Sequence, residues 1–242
     1  MELQGDQIAL LLSGQDIPIE ECNIIIHQPT IKQIVAFKET SFIGAIQIFI
    51  NVKENANKIR EINSEAESFN DFQILMAILN QKDENRQNVD IFFQLVFPRY
   101  KTEIRDSEIC FYFENKRVGM VNSFNYESFC EKIKQVFGLP FDNKKYNPAN
   151  SKAAELVEKF KQREEILARR EGKNSNTPSL FGSYISILSV GLQLDINILF
   201  NYTAFQLYDI FERYWKKVNY DFYQRVSTMP MMDTSKMEEP SN

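Results

Sequence analysis

Tyr100 to Phe137, YKTEIRDSEICFYFENKRVGMVNSFNYESFCEKIKQVF, changes its hydrophobic period partway along, and that change decides the fold class. Tyr100, Thr102 and Ile104 alternate with charged residues, and Ile109, Phe111 and Phe113 alternate with Cys110 and Tyr112, a period of two that predicts strands. Asn115-Lys116 reads as a turn into Arg117–Val121, which makes a hairpin over Glu108–Asn122. From Asn125 the period becomes helical. Phe129, Ile133 and Val136 or Phe137 share a face, Asn125 stands where a helix cap belongs, and Gly138 with Pro140 marks the end. Strands followed by a helix, without a regular strand–helix–strand rhythm, predict a mixed α+β fold.

Upstream the same mixture continues. Ile8–Leu12 and Asn23–His27 are short apolar runs separated by Ser13-Gly14 and Pro18, which predicts a two-strand entry. Thr30 with Gln33 three places later forms a capping box for a helix. Phe42–Ile50 is apolar enough to be buried in either secondary structure, and Asn51–Glu67 reads as a surface excursion or exposed helix. Ser68 with Asp71 opens a helix to Leu79, and Asn88–Phe97 reads as a helix stopped by Pro98.

Downstream, Leu139–Asn150 holds two prolines and four asparagine or aspartate residues, so it is the best boundary in the chain. Four segments follow from this reading: an α+β region over 1–142, a charged helix with connectors over 143–178, a mainly α-helical packing region over 179–226, and an extended tail over 227–242. Within Ser151–Glu171, Glu155 precedes Lys159 and Glu165 precedes Arg169 by four residues, the favourable order for exposed helical pairs. Asn143–Lys173 carries nine basic and five acidic residues, whereas 1–142 carries fourteen basic and twenty-one acidic. Lys159, Arg163, Arg169 and Arg170 are therefore candidates for contact with phosphate or an acidic partner, although interleaved charge also suits a solvated helix face.

The segment Asp195–Val226, DINILFNYTAFQLYDIFERYWKKVNYDFYQRV, carries the heaviest aromatic load. Thr203 fits the cap of a helix in which Ala204, Leu207, Tyr208, Phe211, Tyr214 or Trp215, and Val218 recur at steps of three and four. Such a stripe suits a buried core helix and a subunit contact alike; the aromatic enrichment makes Tyr202, Leu207, Tyr208, Phe211, Tyr214 and Trp215 the candidate interface.

This region also resembles a family of proteins from the tail-assembly region of tailed bacteriophages. The resemblance rests on Asn201-Tyr202-Thr203, Phe205–Asp209 (FQLYD), Phe211-Glu212-Arg213 and the Tyr220-Asp221 pair. The serine- and leucine-rich run Ser179–Leu194 and the lead-in at Tyr146–Ala149 stand in the matching places, and the likeness extends over about residues 100–226, including the hairpin and the helix after it. It implies a virion-associated protein of the portal and tail region, made in the host cytoplasm, which packs with itself and with other tail or portal proteins. An assembly chaperone that leaves before maturation is the alternative within the same module; a nucleic-acid-binding factor using 151–171 is the alternative from another class.

Composition frames these readings. A chain of 242 residues that is 43% hydrophobic and 25% charged can bury a real core, and a net charge of −5 gives no whole-chain reason to expect nucleic acid. Cys22, Cys110 and Cys130 are odd in number and widely spaced, which predicts reduced thiols in a cytosolic setting. The N-terminus lacks a basic region before its apolar run, so no secretory signal is expected, and Leu180–Phe200 is broken by Ser183, Ser186, Ser189, Gln193, Asp195 and Asn197, so no membrane span is expected. The single histidine, His27, reads as a structural residue, and the sequence has no phosphate-binding glycine loop, dinucleotide fingerprint or nucleophile elbow. The expectation is a protein without catalytic residues, metal or cofactor, working by association.

Overall fold

A computed structural model describes residues 5–81, 84–138 and 179–227. The chain divides into two compact units, one of residues 1–139 with 184–242 and one of residues 140–183. The second is represented by Ser179–Ser183, where the Ser179 carbonyl accepts from the Ser183 amide (3.0 Å) and hydroxyl (2.8 Å). The expected basic helix, with Lys159, Arg163, Arg169 and Arg170, and most of the expected tail lie outside the described residues.

The fold is mixed α+β, with short strands and hairpins among helices in the N-terminal part and helices alone in the C-terminal part. The order is α1 (Gly5–Leu12), β1 (Ile17–Ile19), β2 (Ile24–Ile26), α2 (Ile31–Phe37), α3 (Glu39–Ile50), α4 (Val52–Ile62), α5 (Asp71–Asn80) and α6 (Glu84–Val96). Then come β3 (Lys101–Ile104), β4 (Ile109–Phe113), β5 (Lys116–Val121), α7 (Tyr126–Phe137), α8 (Leu180–Leu192), α9 (Ile196–Phe200) and α10 (Ala204–Ser227). β1 and β2 pair antiparallel, and β3-β4-β5 form an antiparallel sheet in that order.

Phenylalanine rings join the sheet to the helices. Phe111 on β4 meets Phe97 after α6 at 5.1 Å, Phe97 stacks on Phe129 of α7 at 5.9 Å, and Phe129 meets Phe49 of α3 edge to face at 5.5 Å. Phe42 of α3 in turn touches Phe92 and Phe137, at 5.8 and 5.6 Å. All six of Phe42, Phe49, Phe92, Phe97, Phe111 and Phe129 are fully buried, so each contributes about 1.5–3 kcal/mol of apolar transfer, with ring geometry adding to that.

Several sequence expectations need correcting in their local detail. Ile8–Leu12 is part of helix α1, because alanine and leucine favour a helix there; the first strand is Ile17–Ile19 instead, and it includes Pro18, whose ring is exposed between two buried isoleucines. The hairpin turn of β4 and β5 is Glu114-Asn115, at φ 49° and 62°, with Phe113 paired to Lys116. Two left-handed residues match the strand twist, which an Asn115-Lys116 turn would not. Asn70 caps α5 in place of Ser68, exchanging bonds of 2.8 and 2.9 Å with Gln73. α6 begins four residues before Asn88. Asn125 precedes α7 as expected, yet its side chain does not cap the helix: Oδ1 accepts from Asn122 N (2.8 Å), and Nδ2 donates to the Glu21 and Met120 carbonyls (3.0 Å each). It therefore ties the β1–β2 connection to the end of β5. Nearby, Gly119 is required by close approach, since a Cβ there would clash with the Cys22 carbonyl and lie 2.9 Å from that of Asn23.

Candidate interaction surface

Two capping boxes set side by side position the C-terminal helix. At α2, the Thr30 hydroxyl accepts from Gln33 N (3.3 Å) while Gln33 Oε1 accepts from Thr30 N (2.8 Å). At α10, Thr203 and Gln206 repeat the exchange at 3.3 and 2.8 Å. Thr30 and Thr203 form an isolated antiparallel bridge, and Ile31 N donates to the Tyr202 carbonyl at 2.8 Å. Gln206 Nε2 also donates to the Leu12 carbonyl at 2.7 Å, fastening the start of α10 to the end of α1. Gln33 was legible as a cap partner in sequence; Gln206 carried the same three-residue signal and was missed.

Along α10 the candidate residues separate by environment. Leu207 is 0% exposed and Ala204 is buried, so the first two turns belong to the core, with Leu199 of α9 also enclosed. Tyr202 and Tyr208 are half-buried. Desolvation pushes the Tyr208 phenol up to about 12, helped by Glu212 and Tyr184, so its hydroxyl stays protonated and neutral across the physiological range. Half-buried Phe211 stacks on Tyr184 of α8 with centroids 4.2 Å apart, and Trp215 lies nearly parallel to Phe211 at 6.5 Å. Tyr214 packs over Gly191, where any Cβ would collide with its ring. Beyond that point cover stops. Trp215 is 53% exposed, Tyr220 46% and Phe222 59%, and from Trp215 to Phe222 only Val218 is less than exposed.

Seven of the fourteen exposed large apolar side chains among the described residues fall between Ile187 and Phe222: Ile187 and Val190 on α8, Ile196 and Ile198 on α9, and the three aromatics of α10. Scattered exposed apolar residues are ordinary, so the concentration in this short stretch distinguishes the surface.

Two other polar clusters among the described residues are paired internally. On the three-stranded sheet, Arg117 grips Glu108 at 2.6 and 3.2 Å, Arg105 bridges Glu103 and Glu108, and the Cys110 thiol donates to Glu108 at 3.3 Å. The Cys110 and Arg117 hydrogen bonds hold the Glu108 carboxyl below its ordinary value. His27 Nδ1 lies 2.9 Å from Asp16 Oδ1, while Arg99 takes Oδ2 at 2.7 Å. Asp16 thus binds the ring and a guanidinium together, and no hydroxyl or thiol among the described residues hydrogen-bonds the imidazole. The three cysteines are free, with burial pushing the Cys22 and Cys130 thiols up to about 12. Among the described residues, no group of three or more histidine, cysteine or acidic side chains is placed to hold a metal, and no single helix is long and apolar enough to cross a membrane. A recess of about 300 Å³ between α1, β1 and α7 is lined by Leu10, Ile17, Glu20 and Lys132. Comparison of the chain with protein-family models, curated proteins and solved structures returns no match.

Proposed function

We propose that this protein works by association, through the surface of α8, α9 and the outer half of α10, as a non-enzymatic packing component. The observation that carries the reading is the exposure of Trp215, Phe222 and, on another side of the helix, Tyr220 along the outer turns of α10, whose first turns are fixed in the core. A rigidly rooted helix offering aromatic side chains loses little conformational freedom on docking, which suits it to a protein partner. The resemblance over about residues 100–226 supports a setting in the portal and tail region of a tailed bacteriophage, with other tail or portal proteins as neighbours.

Quantitative mass spectrometry of purified particles tests that setting. Stoichiometric presence supports a structural or carried virion component. Absence from particles, with capture of the tail-tube or tape-measure protein from infected cells, replaces it with the assembly-chaperone reading. Absence from both overturns the phage setting.

A further inference from the structure

Lys38 is the single residue between α2 and α3, and it stands at φ 90° and ψ 101°, a region sparsely populated by residues that carry a side chain. The two helices turn there by 101°. Nothing in the local sequence demands that turn, since Ile31–Ile50 has no proline and its one glycine, Gly44, lies inside α3. The turn also leaves α3 without a side-chain cap, whereas α2 and α5 begin in capping boxes. A helix running straight through Lys38 would bring the Glu39, Thr40 and Ser41 amides to the Val35, Ala36 and Phe37 carbonyls. The contacts that hold the bend lie at the far end of α2. Ile31 and Ile34 are fully buried, Ile31 N donates to the Tyr202 carbonyl, and Thr30 bridges Thr203. Val35 and Phe37, by contrast, are exposed, so α2 has core cover on one side only.

We propose that α2 is a latch under strain: hinged at Lys38, it swings off Tyr202 and Thr203 and toward the line of α3 while the phenylalanine core stays closed. A residue with a side chain keeps such a backbone only where its surroundings over-determine it, and here those surroundings are the contacts of Thr30, Ile31 and Ile34. Opening exchanges them for an unstrained Lys38 and the helical bonds of the Glu39, Thr40 and Ser41 amides. The closed form is favoured, because two buried isoleucines outweigh one strained residue. Opening is therefore an infrequent local event, set below the cost of unfolding the whole chain. α10 keeps its separate tie to the Leu12 carbonyl through Gln206, so the latch can open without uprooting it.

Native-state hydrogen exchange of the full chain, followed by nuclear magnetic resonance, tests this. Ile31 N bonds outside its own helix, to Tyr202, and so reports the latch; Phe97 N, bonded to the Phe93 carbonyl at 2.9 Å, reports the core. Ile31 should exchange through an opening at least about tenfold more frequent than that of Phe97. Lys38→Gly removes the strain of the closed form and should make the Ile31 opening about fivefold rarer, whereas Lys38→Ala keeps the strained backbone and should stay within about twofold of wild type. Ile34→Ala should make it about tenfold more frequent or beyond, because opening uncovers that side chain. Circular dichroism confirms equal helix content in the variants. Exchange of Ile31 only in step with Phe97 overturns the latch, and so does an Ile31 opening that Lys38→Gly and Lys38→Ala alter alike or that Ile34→Ala leaves unchanged.

Discussion

Replacing Leu207 and replacing Trp215 separate the rooted half of α10 from its projecting half. Leu207→Ala removes three carbons from a fully buried position, about 2.5 kcal/mol of transfer at ~0.8 kcal/mol per carbon. Partial collapse of the resulting cavity brings the expected loss to about 3–4 kcal/mol. Trp215→Ala removes a larger side chain, but one that is 53% exposed, so its cost to the monomer is expected at about 1 kcal/mol or less. Urea unfolding at a concentration below self-association reads the contrast: with a slope of roughly 2 kcal/mol per molar, the midpoint should fall by about 1.5–2 M for Leu207→Ala and by under about 0.5 M for Trp215→Ala. Raising the protein concentration should stabilise the wild type and the Leu207 variant by mass action, and the Trp215 variant far less. Trp215 is the chain's single tryptophan, so its emission reports the site directly and should shift to shorter wavelength on association. Equal destabilisation by the two substitutions at low concentration, or an emission already typical of a buried indole, would refute the division of α10 into core and exposed halves.

Gln206→Ala removes both its half of a capping box and the bond to the Leu12 carbonyl; thermal or denaturant unfolding should register a loss of about 1–3 kcal/mol, with Gln206→Glu recovering part of the cap. Gly119→Ala should cost more than an exposed glycine replacement, about 2 kcal/mol or above, because the methyl group meets backbone atoms that cannot rotate away; retention of wild-type stability would contradict the close approach. The folded-state pKa of Glu108 lies below its ordinary value of 4.5, so its stabilising contribution is fully present above that value and is lost as pH falls through the depressed one. Denaturation profiles of wild type and Glu108→Gln should therefore converge in acid and separate toward neutrality, and a gap that widens in acid would reverse the assignment.

What could be read in the sequence depended on how local the cause was. The β3–β4–β5 meander was legible from the aromatic-rich run Ile109–Phe113 and the turn after it, although burial along β4 does not keep the expected alternation, since Ile109, Cys110 and Phe111 are all buried and Phe113 is exposed; α2 was legible from its capping box and α7 from its regular apolar stripe. Ile8–Leu12 was not, since five apolar residues fit a buried strand or a helix turn equally well; docking of α1 against α10 decides it. Asn125 was placed correctly but its bonds were hidden, because its partners at Glu21 and Met120 are brought to it by tertiary structure. On the candidate surface, periodicity identified the stripe of α10 but had no way to show where along it the protein's own cover ends. That boundary, between Leu207 and Trp215, is set by α8 and by the length of α10.

The bond from Gln206 to the Leu12 carbonyl links positions 194 residues apart, and the Thr30–Thr203 bridge closes a loop of similar span. Contacts of such sequence separation form after local ones, because the chain entropy of closing the loop must be overcome first. During synthesis the N-terminal helices and the sheet have emerged long before α10 exists to meet them. The aromatic edge is consequently set in place among the last events of folding. A nascent chain, or one clipped within α1, would carry the same α10 sequence without the anchor that aims it. Under the association proposed above, competence to assemble is in this way tied to the docking of α10 on α1, and half-made copies are kept from competing for the same contacts.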